Sequence, residues 1–234
     1  MKAVILVGGE GTRLRPLTFS IPKPLLPLGE RSVLEILIAQ LRDAGFTDLT
    51  LATGYRADLI RAFCGDGTRF GVRIHYVHED HPLGTAGPLA LAREALADEE
   101  VFLLLNGDIH TGLDFRVFAE AARASGSLLT VACASHVYRS PYGVLEISGG
   151  AVRGVVEKPQ YTYPISAGIY ALRPAALRFV PSGAFFTVPD LIQALIAAGQ
   201  RVDAYALEAP WIGLDRIENF EDALKLLAEL SAPE

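Results

Sequence analysis

The stretch Ala3-Val4-Ile5-Leu6-Val7-Gly8-Gly9-Glu10-Gly11-Thr12-Arg13-Leu14-Arg15, continuing to Pro22-Lys23-Pro24, decides how this chain folds. Its first five residues are apolar and mostly branched, the pattern of a short buried strand. Three glycines follow within four positions. Without a Cβ they let the backbone approach an anion closely, with amide hydrogens free to point at it. Between Glu10 and Lys23 lie three positive charges and one negative, whereas the whole chain sums to −6. A local cationic loop on an acidic protein reads as a phosphate site rather than a general nucleic-acid surface. Pro22 and Pro24 restrict the backbone on both sides of Lys23 and hold its side chain in a fixed direction. A free lysine would lose roughly 2 kcal/mol of rotamer entropy on being immobilised. The loop is not a Walker A motif, because no Gly-Lys-Ser/Thr ends it, and it lacks the third glycine of a dinucleotide fingerprint.

Outward from this loop, strands are predicted at 3–7, 48–53, 72–77 and 100–105, with helices at 32–44, 56–63 and 85–97 between them. In the first helix Ser32 and Glu35 form a capping box, Val33, Leu34, Leu37, Ile38 and Leu41 line one face, and Gly45 ends it. Thr85 is the expected cap of the third helix, with Pro88 in its first turn. Asp114 caps a further helix at 115–124, with Phe115, Phe118 and Ala122 inward. Such alternation implies a mainly parallel sheet with right-handed crossovers. The second half is richer in strands, at 128–134, 143–147, 152–157 and 166–172, with a tight hairpin at Ser148-Gly149-Gly150. Helices return at 174–179, 188–198 and 219–230, the last capped by Asn219. No Ser/Gly linker, repeat or low-complexity tract interrupts the chain. It reads as a single domain over 1–234, whose strand-rich second lobe closes over the first.

The bulk numbers bound the class. Half of the 234 residues are apolar, enough for a substantial core. No apolar run approaches the roughly 20 residues of a membrane span, and the five-residue N-terminal run is too short for a signal peptide. Cys64 and Cys133 sit in apolar surroundings and read as reduced thiols of a cytoplasmic protein. No Cys/His cluster has zinc spacing. His75, His78 and His81 fall on a strand-to-loop segment, as surface or substrate-loop residues rather than metal ligands.

Three further motifs carry chemistry. Leu103-Leu104-Leu105-Asn106-Gly107-Asp108 ends an apolar strand in a small polar turn. Ligands of open α/β sheets sit beyond such strand ends, so Asp108 could hold magnesium between phosphates through hard oxygen ligands. Its plainer alternative is a turn aspartate bonded to its own backbone. Pro82-Leu83-Gly84-Thr85-Ala86-Gly87 puts small residues at an expected helix start, where free amides can meet a ligand. Val155-Val156-Glu157-Lys158-Pro159 ends a strand of the second lobe, after Tyr142-Gly143 and before Ser166-Ala167-Gly168-Ile169-Tyr170. Glu157 could bind sugar hydroxyls and Lys158 a second phosphate; a solvated ion pair is the alternative.

Together, Gly8-Gly9-Glu10-Gly11-Thr12-Arg13-Leu14, Pro22-Lys23-Pro24, Leu83-Gly84-Thr85-Ala86-Gly87, Asn106-Gly107-Asp108 and Glu157-Lys158-Pro159 resemble the sugar-1-phosphate nucleotidylyltransferases, nearly end to end. The resemblance covers the catalytic domain only, and the C-terminal β-helix of some members is not expected from it. It implies a Rossmann-like three-layer α/β sandwich with a mainly parallel central sheet and a strand-rich sugar-binding lobe. About 1–125 would be the nucleotide-binding half and about 126–234 the sugar-phosphate-binding half. It implies that Arg13, Lys23 and Asp108 are catalytic, and that Gly8, Gly9, Gly11, Thr12, Gly84, Thr85 and Asn106 bind the nucleotide. Gly143, Glu157, Lys158, Ser166 and Gly168 would face the sugar phosphate, and Mg2+ would be the cofactor. The partners implied are an NTP and a sugar-1-phosphate, with no nucleic acid or membrane; homo-oligomers are common in the family.

Two departures matter. The family usually has Asn-Ala-Gly where this chain has Ser166-Ala167-Gly168. Its second metal aspartate usually lies two residues after a tryptophan, but Trp211-Ile212 is followed here by Gly213. Residues two apart on a strand share a face, so Asp215 is the expected replacement ligand. The turn at 82–87 resembles mannose- or heptose-1-phosphate guanylyltransferases. Glucose-1-phosphate thymidylyl- or uridylyltransferases are the alternative. From other classes there remain a glycosyltransferase, which commonly uses an Asp-X-Asp motif that Asp108-Ile109-His110 does not supply, and a non-catalytic nucleotide-sugar sensor.

Overall fold

Side chains of one apolar strand feed two cores. The computed structural model describes residues 1–231. In it Ala3, Ile5 and Val7 enter one buried cluster and Val4 enters another on the opposite face. The period of two along a strand demands this when both faces are covered.

The elements in chain order are β1 (Lys2–Leu6), β2 (Pro27–Leu28), β3 (Arg31–Ser32), α1 (Val33–Asp43), β4 (Asp48–Thr53), α2 (Ala57–Cys64), β5 (Arg73–His78), α3 (Arg93–Leu96), β6 (Phe102–Asn106), β7 (Ile109–Thr111) and α4 (Phe115–Ser125). There follow β8 (Leu129–Arg139), β9 (Val144–Ser148), β10 (Ala151–Val156), β11 (Gln160–Leu172), α5 (Val188–Ala197), β12 (Val202–Ala206), β13 (Trp211–Gly213) and α6 (Glu218–Ser231). Seven strands make the main sheet, in the order β12-β8-β11-β6-β1-β4-β5. All run parallel except β11, which is antiparallel to both neighbours. Residues of α1, α2 and α4 cover one face, and residues of α3 and α5 the other. This is the expected three-layer sandwich with a mainly parallel centre. Strands from both halves of the chain share the one sheet. Among the described residues no helix is long and apolar enough to cross a membrane.

Local signals explain most of these elements. Ser32 Oγ accepts from Glu35 N at 3.2 Å, and Leu34, Leu37, Ile38 and Leu41 of α1 are buried. Burying each such side chain contributes about 1.5–3 kcal/mol. Asp114 caps α4 by accepting from the amides of Arg116 and Val117, with Phe115, Phe118 and Ala122 inward. The two-way capping box occurs at α5, between Thr187 and Asp190. Gly149 and Gly150 make the hairpin of β9 and β10, both at positive φ (61° and 79°), as the favoured two-residue turn requires.

Several expectations are corrected. The helix at 85–97 breaks into a 3-10 turn at Gly87–Ala90 and the single turn of α3. Thr85 caps no helix of its own; its Oγ1 accepts from Val188 N at the start of α5, 103 residues away. Segment 174–179 is a 3-10 helix. Asn219 lies inside α6 and donates its side-chain amide to Gly213 O. β8 and β11 run further than expected, so that 135–139 and 160–166 form a paired arm beyond the sheet. The strands β2, β3, β7 and β12 have no counterpart in the sequence reading, and β13 answers to the extended segment expected after Trp211. Cys64 is buried and Cys133 partly so, and both are free.

Candidate active site

The register of β1 against β6 places the glycine loop. Leu6 is level with Asn106, so Gly8-Gly9 and Gly107-Asp108 emerge side by side at the carboxyl ends of parallel strands. Sheet order reverses here, because β4 and β5 lie on one side of β1 and β6 on the other. Ligands of open α/β sheets bind at this kind of switch point. The turns fit because Gly107 is glycine: a Cβ there would stand 2.6 Å from Leu6 O.

After Gly11 the chain makes a 3-10 turn at Thr12–Leu14, anchored by fully buried Leu14. Another follows at Leu17–Phe19, and a third, Lys23–Leu25, starts directly after Pro22. Lys23 is buried, and its Nζ lies 2.5 Å from Asp108 Oδ2 and 2.9 Å from Asp215 Oδ1. Arg13 Nη1 is 3.3 Å from the same Asp215 oxygen. Asp215 arrives through a small ladder: β13 pairs antiparallel with β7, and Leu214 N donates to Asp108 O at 2.9 Å. The two aspartates therefore face each other across one ammonium. Burial alone would raise the Asp215 carboxyl. The hydrogen bond and charge of Lys23, with Arg13 and Arg216, outweigh it and hold the group below the ordinary aspartate value.

These residues line a cavity of about 680 Å³, within the usual range for a small-molecule site. Gly8, Gly9, Gly11, Thr12, Arg13, Lys23, Gly84, Thr85, Asn106, Asp108 and Asp215 all line it. The sugar-phosphate candidates do not. Gly143 and Glu157 flank the exposed β9–β10 hairpin, where a Cβ at Gly143 would stand 2.8 Å from Glu157 Oε2. Lys158 follows with a positive φ of 47°. Ser166 Oγ bonds Tyr170 OH at 2.8 Å, and Gly168 packs against Asn106. Arg15 is paired with Glu10 at 2.8 Å and lies outside the cavity lining.

Sequence reading missed Glu79, which lines the cavity beside His78 and His81. Its Oε2 accepts from Leu83 N at 2.9 Å. A Cβ at Gly8 would stand 2.9 Å from its Oε1. Burial pushes its carboxyl up; the Leu83 bond and the two histidines pull it partly back. The signal available was a carboxylate at the carboxyl end of β5, next to the Pro82–Gly87 turn.

The donor set at Asp108 and Asp215 suits a hard divalent ion, which takes one or two carboxylates and completes its shell with phosphate oxygens and water. Among the described residues no third His, Cys, Asp or Glu joins them.

A glycine loop, paired cations and two carboxylates thus gather in one cavity at the edge of the sheet. The chain belongs to the nucleotidyl transferase family, whose model matches residues 2–229. It is 36% identical over 226 residues to the mannose-1-phosphate guanyltransferase beta-A of Xenopus laevis, covering 94% of this chain and 62% of that protein. The chain thus spans less than two thirds of the length of such relatives. A solved Bacillus anthracis chain, 24% identical with a TM-score of 0.79, covers 100% of this chain and 98% of its own length and shares the fold. HddC from Yersinia pseudotuberculosis, complexed with GMP-PN, is similar at 27% identity and a TM-score of 0.75, covering 97% of this chain and 99% of its own.

Proposed function

We propose that this chain transfers a nucleotidyl group from a nucleoside triphosphate to a sugar-1-phosphate, with GTP as donor and mannose- or heptose-1-phosphate as acceptor. The observation that carries the reading is the convergence of Arg13, Lys23, Asp108 and Asp215 on one cavity wall.

An oxygen of the sugar phosphate attacks the α-phosphorus in line. The bond from that phosphorus to the bridging oxygen breaks, and pyrophosphate leaves with the electron pair. No protein nucleophile is needed, since the acceptor is already an anion. The obstacle is repulsion between two polyanions. Two unit charges 4 Å apart repel by about 1 kcal/mol in water and about 4 kcal/mol at an effective dielectric of 20. Arg13 offsets charge on the α-phosphate and the leaving group, and Lys23 bridges donor and acceptor phosphates. Backbone amides of the loop at 8–12 orient the triphosphate. Asp108 and Asp215 would hold Mg2+, which supplies charge neutralisation on the leaving pyrophosphate. Gly143, Glu157, Lys158, Ser166 and Gly168 are assigned to the sugar phosphate.

Glu79 supports guanine. Guanine offers two adjacent donors, N1–H and the N2 amino group, and an ionised carboxylate accepts both. Adenine would turn a ring lone pair toward it, and uracil or thymine would offer one donor between two carbonyls. The names of the relatives agree with this choice. A cytoplasmic setting is in keeping with the two free thiols.

The test is pyrophosphate release with four nucleoside triphosphates against mannose-, glucose- and heptose-1-phosphate. Release is expected with GTP and mannose- or heptose-1-phosphate. No release with any pair would refute a transferase, and release confined to dTTP or UTP would refute the base.

A further inference from the structure

We propose that Lys23 keeps the metal seat shut until a nucleotide arrives, so that the divalent ion and the triphosphate bind as one coupled event. The inference rests on the reading above, that Asp108 and Asp215 hold the metal. Its basis is geometric. The Lys23 ammonium stands between the two carboxylates, 2.5 Å from one and 2.9 Å from the other. Arg13 touches Asp215 alone, and Arg216 adds its charge there without an ion-pair contact. The side chain of Lys23 is only 11% exposed, so the ammonium is sequestered rather than loosely attracted. Its backbone is held by Pro22 and Pro24, and a Cβ at Gly11 would stand 3.2 Å from its Cβ.

Charge decides the order of events. Lys23, Arg13 and Arg216 already offset the charges of Asp108 and Asp215. A divalent ion entering alone must push the ammonium out from between the carboxylates. It then stays beside these cations with nothing to neutralise the excess. A triphosphate changes both terms. It draws the ammonium toward its own oxygens, as the chemical step requires, and leaves the carboxylates free for the ion. An ammonium has three rotatable donors on a flexible stem, so the exchange needs side-chain torsions only.

Mn2+ serves as a paramagnetic probe of an oxygen site. Its binding is read from water-proton relaxation, with and without a non-hydrolysable GTP analogue. Wild type should show no saturable Mn2+ binding below millimolar concentration when alone, and clear binding with the analogue. Lys23→Met and Lys23→Gln, checked for folding by circular dichroism, should bind Mn2+ alone on the order of tenfold more tightly than wild type. Adding Asp108→Asn to either should abolish that gain. A saturable, tight wild-type site without nucleotide would overturn the proposal, and this measurement needs no variant. Equal Mn2+ affinity in wild type and both Lys23 variants would overturn it while leaving the metal seat standing. If Asp108→Asn with the analogue bound Mn2+ as wild type does, the seat itself would be misassigned.

Discussion

Replacing Glu79 by glutamine should reverse the base preference, and the structure says which way the amide must face. Leu83 N–H donates to Glu79 Oε2 at 2.9 Å. In Glu79→Gln the amide oxygen has to take that proton, because an amino group there would set donor against donor. The amino group is thereby forced into the place of Oε1, the oxygen against Gly8 in the cavity wall. Guanine would then present its donors to a donor. A good bidentate pair with a base edge is worth about 1–3 kcal/mol of discrimination, and each 1.4 kcal/mol is tenfold. The kcat/KM for GTP should therefore fall by a factor of about 5 to 150, while that for ATP, whose ring nitrogen accepts, should hold or rise. Glu79→Ala should lose the preference for GTP without improving ATP. It should also lose about 1 kcal/mol of stability for the orphaned Leu83 amide. Pyrophosphate release with GTP and ATP in parallel reads both ratios. A GTP-to-ATP ratio unchanged within about twofold in Glu79→Gln would refute the assignment, since a factor below 5 lies outside the bidentate range. Burial already holds this carboxyl above the ordinary range. The KM for GTP should accordingly start to rise, on acidification, at a pH above the ordinary glutamate value.

Four further outcomes are expected. Arg13→Ala should lower kcat/KM by roughly 10² to 10³, yet shift the urea midpoint little, because the side chain is 71% exposed; near-normal turnover would remove Arg13 from the mechanism. Gly107→Ala should cost about 1–3 kcal/mol of stability, since its methyl would stand 2.6 Å from Leu6 O; an unchanged urea midpoint would contradict the packed switch point. Asp215 has a carboxyl held below its unfolded value, so its contribution is present above about pH 4 and is lost as pH falls through the lowered value. With 51% of that side chain exposed, Asp215→Asn should lose less than about 1 kcal/mol at pH 7, a gap that closes below about pH 4; a gap widening with acid in urea titrations would show the sign to be wrong. Glu157→Gln should raise the KM for the sugar phosphate and leave that for GTP nearly unchanged, and a sugar-phosphate KM equal to that of wild type would detach Glu157 from the acceptor.

How much of this was legible beforehand follows the range of the forces involved. Ser32, Asp114 and Gly149-Gly150 act within a few residues, through caps and a turn, and each element they mark lies where expected. The helix expected at 85–97 failed because Thr85 serves another segment, bonding Val188 across 103 positions. Asn219 failed in the same way, being drawn to Gly213 rather than to a helix end. The strand β7 is three residues long and exists only through its pairing with β13, which no local pattern can announce.

The sequence by itself determined the class of chemistry. A strand running into glycines, two arginines and a proline-braced lysine can hardly serve anything but an anion, because those properties belong to the residues themselves. Only the tertiary structure decided which groups share a cavity. Asp108 and Asp215 are far apart in the chain and meet because a two-strand ladder sets Leu214 against the carbonyl of Asp108. Glu79 enters the wall because β5 ends beside Gly8, while the residues of the arm line none of that cavity. Strand register and sheet order are sums over many distant contacts, and the proximity of charges follows from them.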